Sequence, residues 1–131
     1  MKLESPTVHI ERSAKDIFDF LSDVKNFEKL MPENISKFEI IDDDTFLFAL
    51  KGMPEITLKK KEVISPNKIA LGAAGGKIDF SLVGNISESD SEKSDVQLVF
   101  EGEFNPMMSM MIKGPISKFI ETLVTNMPGS I

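Results

Sequence analysis

The 131-residue chain has no cysteine, no tryptophan, no tyrosine and a single histidine, His9. Without cysteine there are no disulfides, thiolate metal sites or cysteine nucleophiles, and such usage fits a reducing compartment. With one histidine, a zinc site would have to draw its other ligands from carboxylates, and a Ser-His-Asp set would need His9 to face inward. No apolar run approaches the roughly 20 residues of a membrane span. The opening "MKLESPTVHIERS" lacks the apolar core of a signal peptide, so the expected location is cytoplasmic. Positive charge is also scarce: 15 basic residues against 21 acidic ones leave a net charge of −6. Such a chain repels phosphates unless basic residues gather on one face. The one basic run, Lys59 to Lys61, has no aromatics interleaved for base stacking, so no nucleic-acid partner is expected.

Other chemical signals fail on inspection. "GAAGGKI" (72–78) lacks P-loop spacing and carries Ile78 where the magnesium-binding Ser or Thr belongs. Asp42, Asp43 and Asp44 are consecutive, so they cannot all point at one cation, and they read as a solvated turn. No metal site and no cofactor are expected. At this length the chain fits one domain, residues 1–131.

What is present is periodicity. "SPTVHIER" (5–12) alternates, with Val8 and Ile10 on one face and His9 on the other. In "SAKDIFDFLSDV" Ser13 and Asp16 stand at capping-box spacing, and Ile17, Phe20, Leu21 and Val24 form a helical stripe. A second short helical turn holds Phe27, Leu30 and Met31 and stops at Pro32. From Ile35 the period becomes two through six segments: "SKFEII", "TFLFALK", "EITLKKKEVI", "KIALGAA", "KIDFSLVGNI" and "DVQLVFEGEF". Short connections separate them, including Gly75-Gly76 and a polar loop at 87–94. This predicts an antiparallel meander covered on one face.

The last segment, Asn105 to Met127, is the longest helical pattern. Asn105 suits the N-cap and Pro106 the first helical position. Pro115 should bend the helix near Gly114. Its first half concentrates methionine at 107, 108, 110 and 111. These side chains either line a pocket or fill an irregular core, or Met107 and Met110 lie exposed and dock on a membrane or partner.

The passage "VHIERSAKDIFDFLSDVKNFEKLMPENI", followed by a meander and a C-terminal helix, resembles the START-like (SRPBCC) superfamily. That group includes Bet v 1 allergens, polyketide cyclases/dehydrases, coenzyme Q-binding proteins and chaperone activators. The resemblance spans about Ser5 to Met127, though Ser13-Ala14 stands where many members have Ala-Pro. It implies an α+β helix-grip: a seven-stranded antiparallel sheet in the order β-α-α-β6-α, wrapped around a long kinked C-terminal helix with a hydrophobic cavity between.

Parity and the resemblance together nominate Phe46, Phe48, Leu58, Phe80, Leu82, Phe100, Met108, Met111, Ile112 and Pro115 as cavity lining. Strict alternation from Ile56 and Leu58 would carry Lys60 and Glu62 inward as candidate polar anchors, unless a bulge corrects the register. The expected function is non-enzymatic binding or transport of a hydrophobic or amphipathic small molecule: a lipid, isoprenoid quinone or polyketide-like compound. Transient membrane contact is compatible with it. Two alternatives remain: a cyclase- or dehydrase-like enzyme using Lys60 and Glu62, and a protein-interaction module resembling the chaperone activators.

Overall fold

A computed structural model describes residues 1–53, 55–74 and 80–131. The turn expected at Gly75-Gly76 and the inward placement of Ile78 fall outside the described residues. The chain enters as two short strands, β1 (Lys2–Glu4) and β2 (Val8–Ile10), rather than one. Both pair with the same edge of β8 (Lys93–Gly102), β1 along Val99–Glu101 and β2 along Ser94–Val96. Pro6 lacks the amide hydrogen that a continuous ladder needs. Ser5 bridges the break, its Oγ accepting from the Leu98 N–H at 2.9 Å and its carbonyl from the Gln97 amide at 3.0 Å.

Helix α1 (Ala14–Ser22) starts at the expected cap, where Ser13 Oγ accepts from the Asp16 N–H. A 3₁₀ helix follows at Val24–Leu30, burying Val24, Phe27 and Leu30. The meander then runs through β3 (Ile35–Asp42), β4 (Thr45–Leu50), β5 (Ile56–Ile64), β6 (Lys68–Ala73), β7 (Phe80–Asp90) and β8. The sheet has eight strands in the order β1-β8-β7-β6-β5-β4-β3, with β2 beside β1 on β8. The loop expected at 87–94 is mostly strand: Ser87 pairs with Asp95, Glu88 with Ser94, and only Ser91 and Glu92 form the turn. Ser94 explains the extension, since it is buried and its Oγ donates to the Arg12 carbonyl. In the acidic hairpin Asp42 accepts from the Asp44 N–H, and that bond holds the Asp42 carboxyl below the usual carboxylate range. The three aspartates therefore build a turn, as expected.

Helix α2 (Pro106–Ser130) is capped by Asn105 Oδ1, which accepts from the Met108 N–H at 2.8 Å. It continues through Pro115, so the expected bend does not divide it into two elements. Its buried residues Ile116, Phe119, Ile120, Leu123, Val124 and Met127 all lie from Ile116 onward. They pack against the 3₁₀ helix, β8, β1 and β2, while α1 covers β6 and β7. An aromatic column ties the halves together: Phe27 stacks on Phe46 at 5.1 Å, Phe46 on Phe48 at 6.0 Å, and Phe48 on Phe119 at 4.8 Å.

Two glycines should separate by sign. A Cβ on Gly102 would meet Phe104 Cε2 at 2.7 Å and Phe80 Cβ at 2.8 Å, whereas one on Gly114 would meet nothing. Urea unfolding should show Gly102→Ala less stable by about 1–3 kcal/mol and Gly114→Ala more stable by about 0.5–1 kcal/mol.

Candidate functional site

Among the described residues, the middle of the expected cavity is filled. Phe46, Phe48, Leu58, Leu82 and Phe100 are all buried in the core. The void among Leu21, Phe27, Ile69, Leu71, Leu82, Gly84 and Leu98 is about 10 Å³, room for one water at most. Phe80 is half-buried and leans on Phe100 at 5.8 Å, which in turn stacks on Phe104 at 6.0 Å. Met108 and Ile112 are half-buried at the margin, and Ile112 packs on the core.

Met111 departs from the expectation: it is exposed, as are Met107 and Met110. Helical phase is the reason. The buried arc of α2 passes through Ile112, Ile116, Phe119 and Leu123, which turns positions 107, 110 and 111 to the opposite side.

Lys60 and Glu62 also separate. A register shift in β5 between them leaves Lys61 as the extra residue. Beyond it, Glu62 pairs with Ala70 and sits on the outer face, where Lys68 Nζ is 3.0 Å away. Lys60 does turn inward, but its Nζ donates to the Ser22 carbonyl at 2.9 Å and lies 3.3 Å from Asp44 Oδ1. Ser22 is the last residue of α1, so Lys60 satisfies an orphan carbonyl at the negative end of the helix dipole. His9 stays on the outer face, Nδ1 3.0 Å from Asp95. Among the described residues, no group of acids and histidines could hold a metal ion.

Open space lies at the edge of the grip. A cleft of about 500 Å³ runs between α2, the segment 31–34 after the 3₁₀ helix, and the end of β4. Met31, Leu50, Pro115 and Phe119 supply apolar walls. Glu33, Asn34, Lys118, Thr122 and Asn126 supply polar ones. Asn126 also donates to the Leu30 carbonyl at 3.0 Å, which fixes the 3₁₀ helix against α2. No carboxylate among the described residues pairs with Lys118, and no cation pairs with Glu33. Two charged groups therefore face the cleft without a salt bridge to each other.

Of the nominated lining residues, only Pro115 reaches this cleft. The missed signal was a flank of α2: Pro115, Lys118, Phe119, Thr122 and Asn126 fall at i, i+3, i+4, i+7 and i+11, polar residues beside the buried arc. The "MPEN" segment was legible only as a helix stop. A second cleft of about 520 Å³ is lined by Met1, Lys2, Phe80, Ser81, Glu101, Gly102 and Glu103, so the nominated Phe80 reaches this one.

No protein-family model matches the sequence, and no curated protein matches it. Solved structures match over nearly the whole chain. A START superfamily protein from Mycobacterium smegmatis is 14% identical with a TM-score of 0.69, covering 98% of this chain and 94% of that one. Norcoclaurine synthase from Thalictrum flavum, in complex with dopamine and hydroxybenzaldehyde, is 14% identical with a TM-score of 0.69, covering 95% and 84%. A conserved protein from Geobacillus kaustophilus is 12% identical with a TM-score of 0.73, covering 98% and 93%. At these identities the likeness is one of fold, and that fold is the START-like helix-grip.

The two roles of the β5 residues separate by mutation. Lys60→Met should lower unfolding free energy by about 1–2 kcal/mol through loss of the α1 cap. Glu62→Gln should change it by less than about 0.5 kcal/mol. Equal losses in thermal or urea unfolding would instead indicate a coupled inward pair.

Proposed function

We propose that the protein acts as a single START-like domain binding a hydrophobic or amphipathic small molecule, of the lipid, isoprenoid quinone or polyketide-like class, in the cleft beside α2. The observation that carries this reading is the cleft of about 500 Å³, whose walls set apolar Met31, Leu50, Pro115 and Phe119 beside polar Asn34, Lys118, Thr122 and Asn126. A concave site with apolar walls on one side and convergent polar groups on the other suits an amphipathic guest. Apolar burial contributes about 25 cal/mol per Å², and Lys118, Asn34 and Thr122 fix the polar end. Norcoclaurine synthase, which has the same fold, forms a complex with dopamine and hydroxybenzaldehyde, so the architecture accommodates organic guests.

The cyclase- or dehydrase-like alternative needed Lys60 and Glu62 as an acid–base couple. Lys60 is held by Ser22 and Asp44, and Glu62 lies on the outer face near Lys68. That couple does not form, so binding rather than catalysis is the reading the geometry favours.

The absence of tryptophan and tyrosine leaves the protein dark above 290 nm excitation, which suits a fluorescent probe. An anilinonaphthalene sulfonate should bind with increased emission, and Thr122→Trp, which fills the cleft from a half-buried position, should weaken it by about tenfold or more. Native mass spectrometry should show one guest per chain for lipids that displace the probe. Undiminished probe binding to a folded Thr122→Trp variant would place the site elsewhere.

A further inference from the structure

We propose that the solvent face of the first two turns of α2 docks on a lipid bilayer carrying anionic headgroups. Met107, Met110 and Met111 are 74%, 84% and 69% exposed, although every one is a large apolar side chain. With Gly114 they stand at i, i+3, i+4 and i+7, a single stripe on the side of α2 opposite its buried arc. Farther along, the same face becomes polar, with Lys118, Glu121 and Thr125. The change occurs within one helix, so the apolar stretch is a local patch.

Two observations choose the occupant. The first is area. Three methionines exposed to this degree present on the order of 450 Å², a patch large enough to mark an interaction but short of the roughly 800 Å² per partner of a stable protein interface. A second copy of the chain meeting stripe to stripe would therefore bury too little. A bilayer needs no matching surface, and flexible unbranched side chains enter its acyl boundary readily.

The second is charge. In a chain of net charge −6, no acid occurs between Glu103 and Glu121, and that segment carries Lys113 and Lys118. Among the described residues neither lysine has a carboxylate partner. Both can meet headgroup phosphates, with Glu103 and Glu121 the flanking acids and the more distant acids screened beyond about 8 Å at physiological salt. Pro115 and Lys118 also line the cleft. Docking by the stripe would thus bring the cleft to headgroup level, and the guest would be a membrane-resident amphiphile. That last step rests on the cleft being the ligand site; docking itself does not.

Vesicle flotation of the full chain tests the docking. The protein should float with phosphatidylcholine vesicles containing about a third phosphatidylglycerol. Floating should fall at least about fivefold when salt is raised or in Lys113→Glu. The triple variant Met107→Gln, Met110→Gln, Met111→Gln should lose flotation while keeping its Tm and its affinity for the soluble naphthalene probe. Met110→Trp supplies a single fluorophore, whose emission should shift to the blue with anionic vesicles. Failure to float, flotation unchanged in the triple variant, or a methionine-dependent dimer in analytical ultracentrifugation would overturn the proposal. Loss of probe binding with flotation intact would instead count against the cleft alone.

Discussion

The stacked contact between Phe48 of β4 and Phe119 of α2, 4.8 Å between ring centroids, is the constraint on which the molecule depends. A sheet with one apolar face must bury it, and α2 is the only described helix long enough to cross several strands. Phe119 anchors that helix from above while Phe46 and Phe27 continue the column to the 3₁₀ helix. Once the column is set, Asn126 reaches the Leu30 carbonyl and the wall of the cleft is fixed. The cleft is thus a by-product of how the core closes.

The two halves of α2 serve different purposes. From Ile116 onward the helix shows an ordinary buried arc and contributes to the core. Before it, apolar residues occupy the solvent side as well, which is why the whole helix reads as weakly amphipathic despite a well-buried second half. Stability alone does not account for methionines placed where water is. An exposed apolar stripe is tolerated by folding but carries an association risk, so its persistence beside a cleft of mixed polarity points to a shared task.

Architecture was legible because it rests on periodicity. The change from helical spacing to alternation at Ile35 marked the start of the meander, and Asn105-Pro106 marked the start of α2. Details that depend on a single hydrogen bond were not legible. Nothing in "KKKE" says which lysine is the bulge; the C-terminus of α1 decides it by recruiting Lys60. Likewise, "SESDSEKS" has the composition of a loop, and only the burial of Ser94 against Arg12 turns it into strand. The expected cavity lining was legible only in part, for a related reason. Parity identifies which side chains point inward, and Phe46, Phe48, Leu58, Leu82 and Phe100 do, but it cannot say whether the rings leave a gap. Here they stack, and among the described residues one open cleft lies on the flank of α2, where its lining comes from three separate segments.

In the proposed binding mode, guests enter the cleft between Met31 and Phe119 and leave the packed centre undisturbed. Methyl-¹³C methionine NMR reads this directly, since Met31 lines the cleft and Met127 is fully buried in the core. Saturation with a bound amphiphile in the absence of vesicles should shift the Met31 methyl resonance and leave Met127 in place. A large Met127 shift with Met31 unmoved would rule out the cleft and put the guest inside the core.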